Sequence, residues 1–181
     1  MSVRNIQTAG ASTRTASQDR LPAGIGSSQK MAERDGRYIQ AHKETIISVG
    51  RELSVEPALI AAIISRESRG GTAIEQTGGW GDHGQAFGLM QIDKNWHTPQ
   101  GGWNSREHIY QATNILRYFI DAKNNPFSDP DQRLKAAIAA YNKGFQGMNA
   151  GYNNIDAHTT GGDYSDDVVA RAQYFQRNGY N

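Results

Sequence analysis

The stretch SVEPALIAAIISRES, residues 54–68, decides the architecture. Pro57 suits the first turn of a helix, where its missing N–H is not needed, and Ser54 or Glu56 stands where a cap belongs. Residues 58–64 are apolar on every side. A helix without a polar face has to be surrounded by protein, so this one is predicted to run through the middle of a domain. Its last turn carries Ser65, Arg66, Glu67 and Ser68, and the pair Gly70 and Gly71 ends it.

Working outward, helical periodicity begins at Gln29 and runs to about Leu53, with a break at Gly36 and a stripe of Ile39, Ile46, Ile47 and Val49. On the other side, Ile109, Ala112, Leu116, Phe119 and Ile120 predict an amphipathic helix over 105–123. Leu134, Ala137, Ile138 and Tyr141 predict another over 130–143, and Tyr164, Val168, Ala172 and Phe175 a last one over 163–177. Between these groups lies a segment of another kind. Residues 70–102 are punctuated by glycines, with Trp80 and Trp96 among them and Trp103 just beyond, and only FGLMQI (87–92) reads as extended. The expected fold is α+β and mainly α, with a buried central helix and a small antiparallel sheet. Residues 1–28 are expected to be an irregular segment packed on or trailing from one domain of residues 29–181.

Composition narrows the function. The chain has 181 residues, 37% of them apolar, enough for one domain with a core. A net charge of +1 argues against nucleic acid, which calls for a strongly basic surface. There is no cysteine, so disulfides and thiolate metal sites are excluded. The five histidines show no i, i+4 pairing, and no phosphate-cradling glycine motif follows a strand; no metal or cofactor is expected. The longest apolar run, ALIAAII, is far too short to span a membrane. The first 24 residues lack the apolar core of a cleavable signal peptide, which points to a cytoplasmic protein or one released by an unconventional route. A monomer is the expected state.

Three carboxylates can carry chemistry: Glu67 at the helix end, Asp82 in GWGDHG and Asp93 in LMQID. The negative end of a helix dipole and apolar neighbours disfavour a charged carboxylate, which raises its pKa and makes it a proton donor near neutral pH. Each residue also has a plainer reading: Glu67 as a salt-bridge partner of Arg66 or Arg69, Asp82 as a turn residue, Asp93 as a strand-end or helix-cap residue. Taken together, one protonated acid and one or two ionised carboxylates beside a loop-lined cleft are what glycoside hydrolysis needs. Trp80, Trp96, Trp103, Tyr141, Asn142 and Gln91 would offer stacking faces and hydroxyl partners to a sugar.

The blocks IISRESRGG, GWGDHGQAFGLMQIDK, PQGGWN, AAYNKG and DDVVARAQYF together resemble goose-type lysozyme along nearly the whole chain. Avian members carry disulfides, and Thr13 and Ser54 stand where half-cystines are expected, so the likeness is to the cysteine-free branch familiar from fish. The resemblance implies a lysozyme-like fold that cleaves bacterial peptidoglycan and N-acetylglucosamine oligosaccharides, with inversion, in defence against extracellular or phagocytosed bacteria. It implies Glu67 as general acid and Asp82 and Asp93 as the residues that position water. Tyr141 and Asn142 would orient the sugar, with His97 as a further substrate contact. Two alternatives stay open: a lytic transglycosylase that forms anhydro-muropeptides, and a peptidoglycan-binding protein without catalysis.

Overall fold

In the computed structural model, which describes residues 1–181, the stretch 57–68 is a helix surrounded by the rest of the chain. Seven α-helices make up most of the molecule: α1 (Thr13–Ser17), α2 (Ile25–Ile39), α3 (Lys43–Leu53), α4 (Pro57–Ser68), α5 (Arg106–Asp121), α6 (Pro130–Lys143) and α7 (Tyr164–Arg177). Every residue from Pro57 to Ser65 is buried. Ile60, Ile63 and Ile64 are wholly shielded from solvent, each worth roughly 1.5–3 kcal/mol of hydrophobic stabilisation. α7 packs along α4 over the longest contact, and α2 and α3 close its other sides.

The structure places the cap and break signals differently from the sequence pattern. Glu56 precedes the first turn of α4 without capping it. Its Oε1 accepts from the Val3 N–H at 2.7 Å and its Oε2 from Gln176 Nε2 at 2.8 Å, which ties the N-terminus to α7. Ser54 ends α3 in the left-handed region, at φ 55°. α2 starts at Ile25, four residues earlier than the periodicity suggests, and Gly36 lies inside it. The break falls instead at a short 3-10 turn, Gln40–His42.

The N-terminal 28 residues are attached to the domain. Val3 and Ile6 belong to the main core, and the side chain of Gln173 in α7 donates to the carbonyls of both. Ser12 caps α1, accepting from the Thr15 N–H. Its own N–H reaches Asp163 Oδ2 at 2.8 Å.

The sheet has three antiparallel strands of two residues each: β1 (Trp80–Gly81), β2 (Ala86–Phe87) and β3 (Ile92–Asp93). Gly81 and Asp93 both pair with Ala86, one on each side of the middle strand. FGLMQI is therefore extended only at its ends, and residues 88–91 form a tight turn. No helix is long and apolar enough to cross a membrane.

Candidate active site

The site is built around the end of α4 and the turn that joins β2 to β3. Leu89 and Met90 in that turn are fully buried, so each of their backbone polar groups has to find a partner. All four do, and each comes from a different part of the chain. The Leu89 N–H donates to the Trp103 carbonyl at 2.9 Å. Ser68 Oγ, in the last turn of α4, donates to the Leu89 carbonyl at 2.7 Å. The Met90 N–H donates to His108 Nε2 of α5 at 2.9 Å, and the Tyr141 hydroxyl of α6 donates to the Met90 carbonyl at 2.6 Å. Three helices thus grip one turn and hold the sheet against the helix end that bears Glu67.

His108 is wholly buried. Because Nε2 accepts, its proton sits on Nδ1, which has no partner. Burial therefore drives its pKa down to about 4. The fit around the ring is tight: a Cβ on Gly88, whose φ is +88°, would lie 2.1 Å from His108 Cε1.

Glu67 is half-buried and its neighbours remove most of the water that would stabilise a charge. Burial raises its carboxyl to about 7, against the opposing pull of Arg66 and of a hydrogen bond from Tyr164; the negative charge of Asp82 adds to the rise. The Tyr164 hydroxyl donates to Glu67 Oε2 at 3.2 Å. Tyr141 is held well above the ordinary phenol range by burial and by the Glu67 charge, which places it close to the acid in its neutral form. Asn142 stands beside Glu67 in the same cavity and accepts from the Thr160 N–H at 3.0 Å.

Asp82 and Asp93 are both exposed. Asp82 and its neighbour His83 are non-glycine residues in the left-handed region, at φ 50° and 54°. Strain of this kind costs about 1–2 kcal/mol per residue and concentrates at functional sites. Asp93 lies two strands away, so its Cα is roughly 10 Å from that of Gly81 at the usual strand spacing. Its Oδ1 accepts from the Asn95 N–H at 2.8 Å and from the Asn95 side chain at 2.9 Å. Trp80 is partly exposed, with its ring 4.8 Å from Phe87, and Lys94 Nζ lies 5.7 Å over the same ring. His97 and Trp96 stand in solvent just beyond β3. The amide of Gln91 is directed into the hairpin, donating to the Gly88 carbonyl at 2.9 Å and covering Gly81.

Tyr164, Ser68 and His108 escape a reading of the sequence. Tyr164 reads there only as one member of the apolar stripe of α7. No local pattern marks a contact between residues 97 positions apart. No three His, Cys, Asp or Glu side chains converge to hold a metal ion.

Comparison with known proteins adds an independent line. The family model for lysozyme g matches residues 1–179. The chain is 49% identical to lysozyme g of Takifugu rubripes, covering 97% of this chain and 96% of that protein. It is 47% identical to lysozyme G of Dromaius novaehollandiae, covering 98% and 87% respectively. Lysozyme g-like protein 2 of Mus musculus is 40% identical, with 88% of this chain and 72% of that protein covered.

Proposed function

The chain belongs to the lysozyme g family, a family of glycoside hydrolases, and from that premise we propose that it hydrolyses the β-1,4 bond between N-acetylmuramic acid and N-acetylglucosamine in bacterial peptidoglycan, with inversion and to antibacterial effect. One observation carries the reading. Glu67 is an acid whose proton is retained to about pH 7, and the negative charge of Asp82, in the short turn between β1 and β2, bears on it.

In the proposed reaction Glu67 gives its proton to the glycosidic oxygen as the bond breaks. Positive charge develops on the sugar, and water attacks from the opposite face with Asp82 or Asp93 taking its proton. Both roles need the two sides of the cleft in fixed register, which the grip of α4, α5 and α6 on the turn at 89–90 supplies. Tyr141 and Asn142 border the acid and orient the sugar. Trp80 and His97 offer a stacking face and a polar contact on the sheet side. Gln91 supports them by shaping the hairpin.

The test is direct. Glu67→Gln is expected to lower lysis of bacterial walls by about 10²–10⁴-fold while binding of an N-acetylglucosamine oligomer persists. Lysis at the wild-type rate would remove Glu67 from the role of acid. Asp82→Asn and Asp93→Asn should each lower turnover in part if they share the water. Product analysis should show reducing muramic ends with inverted anomeric configuration, whereas anhydro-muramic ends would assign a transglycosylase.

A further inference from the structure

Glu67 also lines a second space, a cavity of about 210 Å³ that runs from the acid toward the N-terminal segment, between α1, α2, the end of α4 and α7. Met31 and Tyr164 apart, its walls are polar, and five of the side chains that line it are arginines. Arg66 and Arg171 are almost fully buried and are matched by acids behind them. Arg66 NH1 meets Asp167 at 2.7 Å and Asp163 at 3.1 Å, and Arg171 meets Asp167 at 2.9 Å and Asp35 at 3.5 Å.

The outer part is not matched. Arg34 and Arg69 share the single carboxylate of Asp19, at 2.7 and 2.8 Å, although Arg34 also reaches Asp35. Burial works against the Asp19 charge, but the two guanidiniums together still hold its carboxyl below the ordinary range. Arg14 is exposed and has no carboxylate partner. Three guanidiniums with N–H donors to spare thus face Asp19 and a share of Asp35, which also serves Arg171, in a cavity that Glu67 lines as well. Guanidinium forks are the natural hosts of carboxylates. At about 210 Å³ the space is smaller than the roughly 300–1,000 Å³ of sites that engulf a drug-sized ligand. With almost no aromatic wall, it suits a short charged branch better than a sugar ring.

We propose that this cavity is a carboxylate site for the acidic branch of a muramyl residue next to the scissile bond, bound by Arg14, Arg34 and Arg69. This rests on peptidoglycan being the substrate. Its muramic acid units carry a lactyl group extended by a peptide with free carboxylates, whereas chitin, built on the same linkage, has none. The site makes the enzyme favour peptide-bearing glycan over a neutral glycan of the same backbone.

The probe is N-acetylmuramyl-L-alanyl-D-glutamate, titrated into the wild type and into R14A/R69Q, with its dimethyl ester as the neutral control. The free acid should bind the wild type at least tenfold more tightly than the ester, and the double variant should lose that difference. Arg14→Ala alone, at an exposed and unpaired side chain, should lose part of it with unchanged thermal stability. In this probe the lactyl carboxyl is an amide, so its carboxylates are those of D-glutamate. N-acetylmuramic acid, with a free lactyl carboxylate instead, should bind more weakly, and equal arginine-dependent binding would extend the site to muramyl units without peptide. In turnover, R14A/R69Q should cleave peptide-bearing strands about tenfold more slowly and an N-acetylglucosamine hexamer within twofold of wild type. Equal binding of acid and ester, or an equal loss on both substrates, would overturn the proposal. If the wild type cleaves neither substrate, the hydrolase reading falls, and the binding arms still decide the cavity.

Discussion

The Tyr164 hydroxyl, on the first residue of α7, donates to Glu67 Oε2 in the last turn of α4 across 3.2 Å. The ring below that hydroxyl lies 5.1 Å from the Arg66 guanidinium carbon. One side chain therefore links the acid to the buried ion pairs behind it. Burial pushes Glu67 toward its neutral form, while Arg66 and the tyrosine O–H favour the charged form. The balance, at about 7, leaves an acid that is protonated below neutrality and still able to release its proton.

Tyr164→Phe removes the donor and keeps the ring. Since the hydrogen bond favours the carboxylate, its loss should raise the Glu67 pKa and move the alkaline limb of the pH–activity profile to higher pH. The stability cost should be about 1 kcal/mol, as for one ordinary hydrogen bond. A profile recorded on wild type and variant checks this, and an unmoved alkaline limb would detach Tyr164 from the tuning of the acid.

Glu67 should also leave a mark on stability. Its pKa is raised in the folded state, so its favourable contribution is full below about 4.5 and is lost as pH rises to about 7. A shift of that size corresponds to up to ~3 kcal/mol. Glu67→Gln carries no such titration. Denaturant unfolding should find the variant more stable than wild type at pH 8, with the difference shrinking by pH 4.

His108 works in the opposite direction. Its pKa is depressed to about 4, so its contribution is full above about 6.5 and is lost as pH falls toward 4. The swing is again about 3 kcal/mol. Glu67 and His108 thus oppose each other in one pH window, and the wild-type curve alone conceals both. His108→Gln should flatten the acid side of the profile. His108→Leu, which offers no acceptor, should also lower turnover, because the Met90 N–H is then left without a partner and the turn loosens.

Gly88 gives a steric test of the same grip. In Gly88→Ala the new Cβ would strike the buried His108 ring, in a backbone region that L residues rarely adopt. A loss of about 3 kcal/mol or more in unfolding free energy is expected, with activity falling alongside it. Gly78 also has positive φ, but a Cβ there meets nothing within 4 Å. Gly78→Ala should cost only about 1 kcal/mol and leave turnover near wild type.

The central helix, the glycine-punctuated insert and the placement of Glu67 at a buried helix end are legible in the residues themselves. Each rests on local order: an all-apolar run, a proline at a first turn, glycines where the chain reverses. The positions of Asp82 and Asp93 around a short hairpin follow from the same local signals. Local signals also mislead where tertiary contacts outweigh them. Glu56 looks like a cap, yet it holds the N-terminus and α7. Gly36 looks like a break, yet it lies within α2. FGLMQI looks like a strand, yet its middle is a turn whose backbone groups are claimed by Ser68, Trp103, His108 and Tyr141.

The sequence by itself determined which residues could be acid and base, because burial along a helix and freedom at glycines are properties of neighbours in the chain. Only the tertiary structure decided that Tyr164 meets Glu67, that three helices clamp one turn, and that arginines from α1, α2 and the end of α4 gather around a cavity beside the acid. Those contacts join residues tens of positions or more apart, and packing of the whole core brings them within hydrogen-bonding or ion-pairing reach.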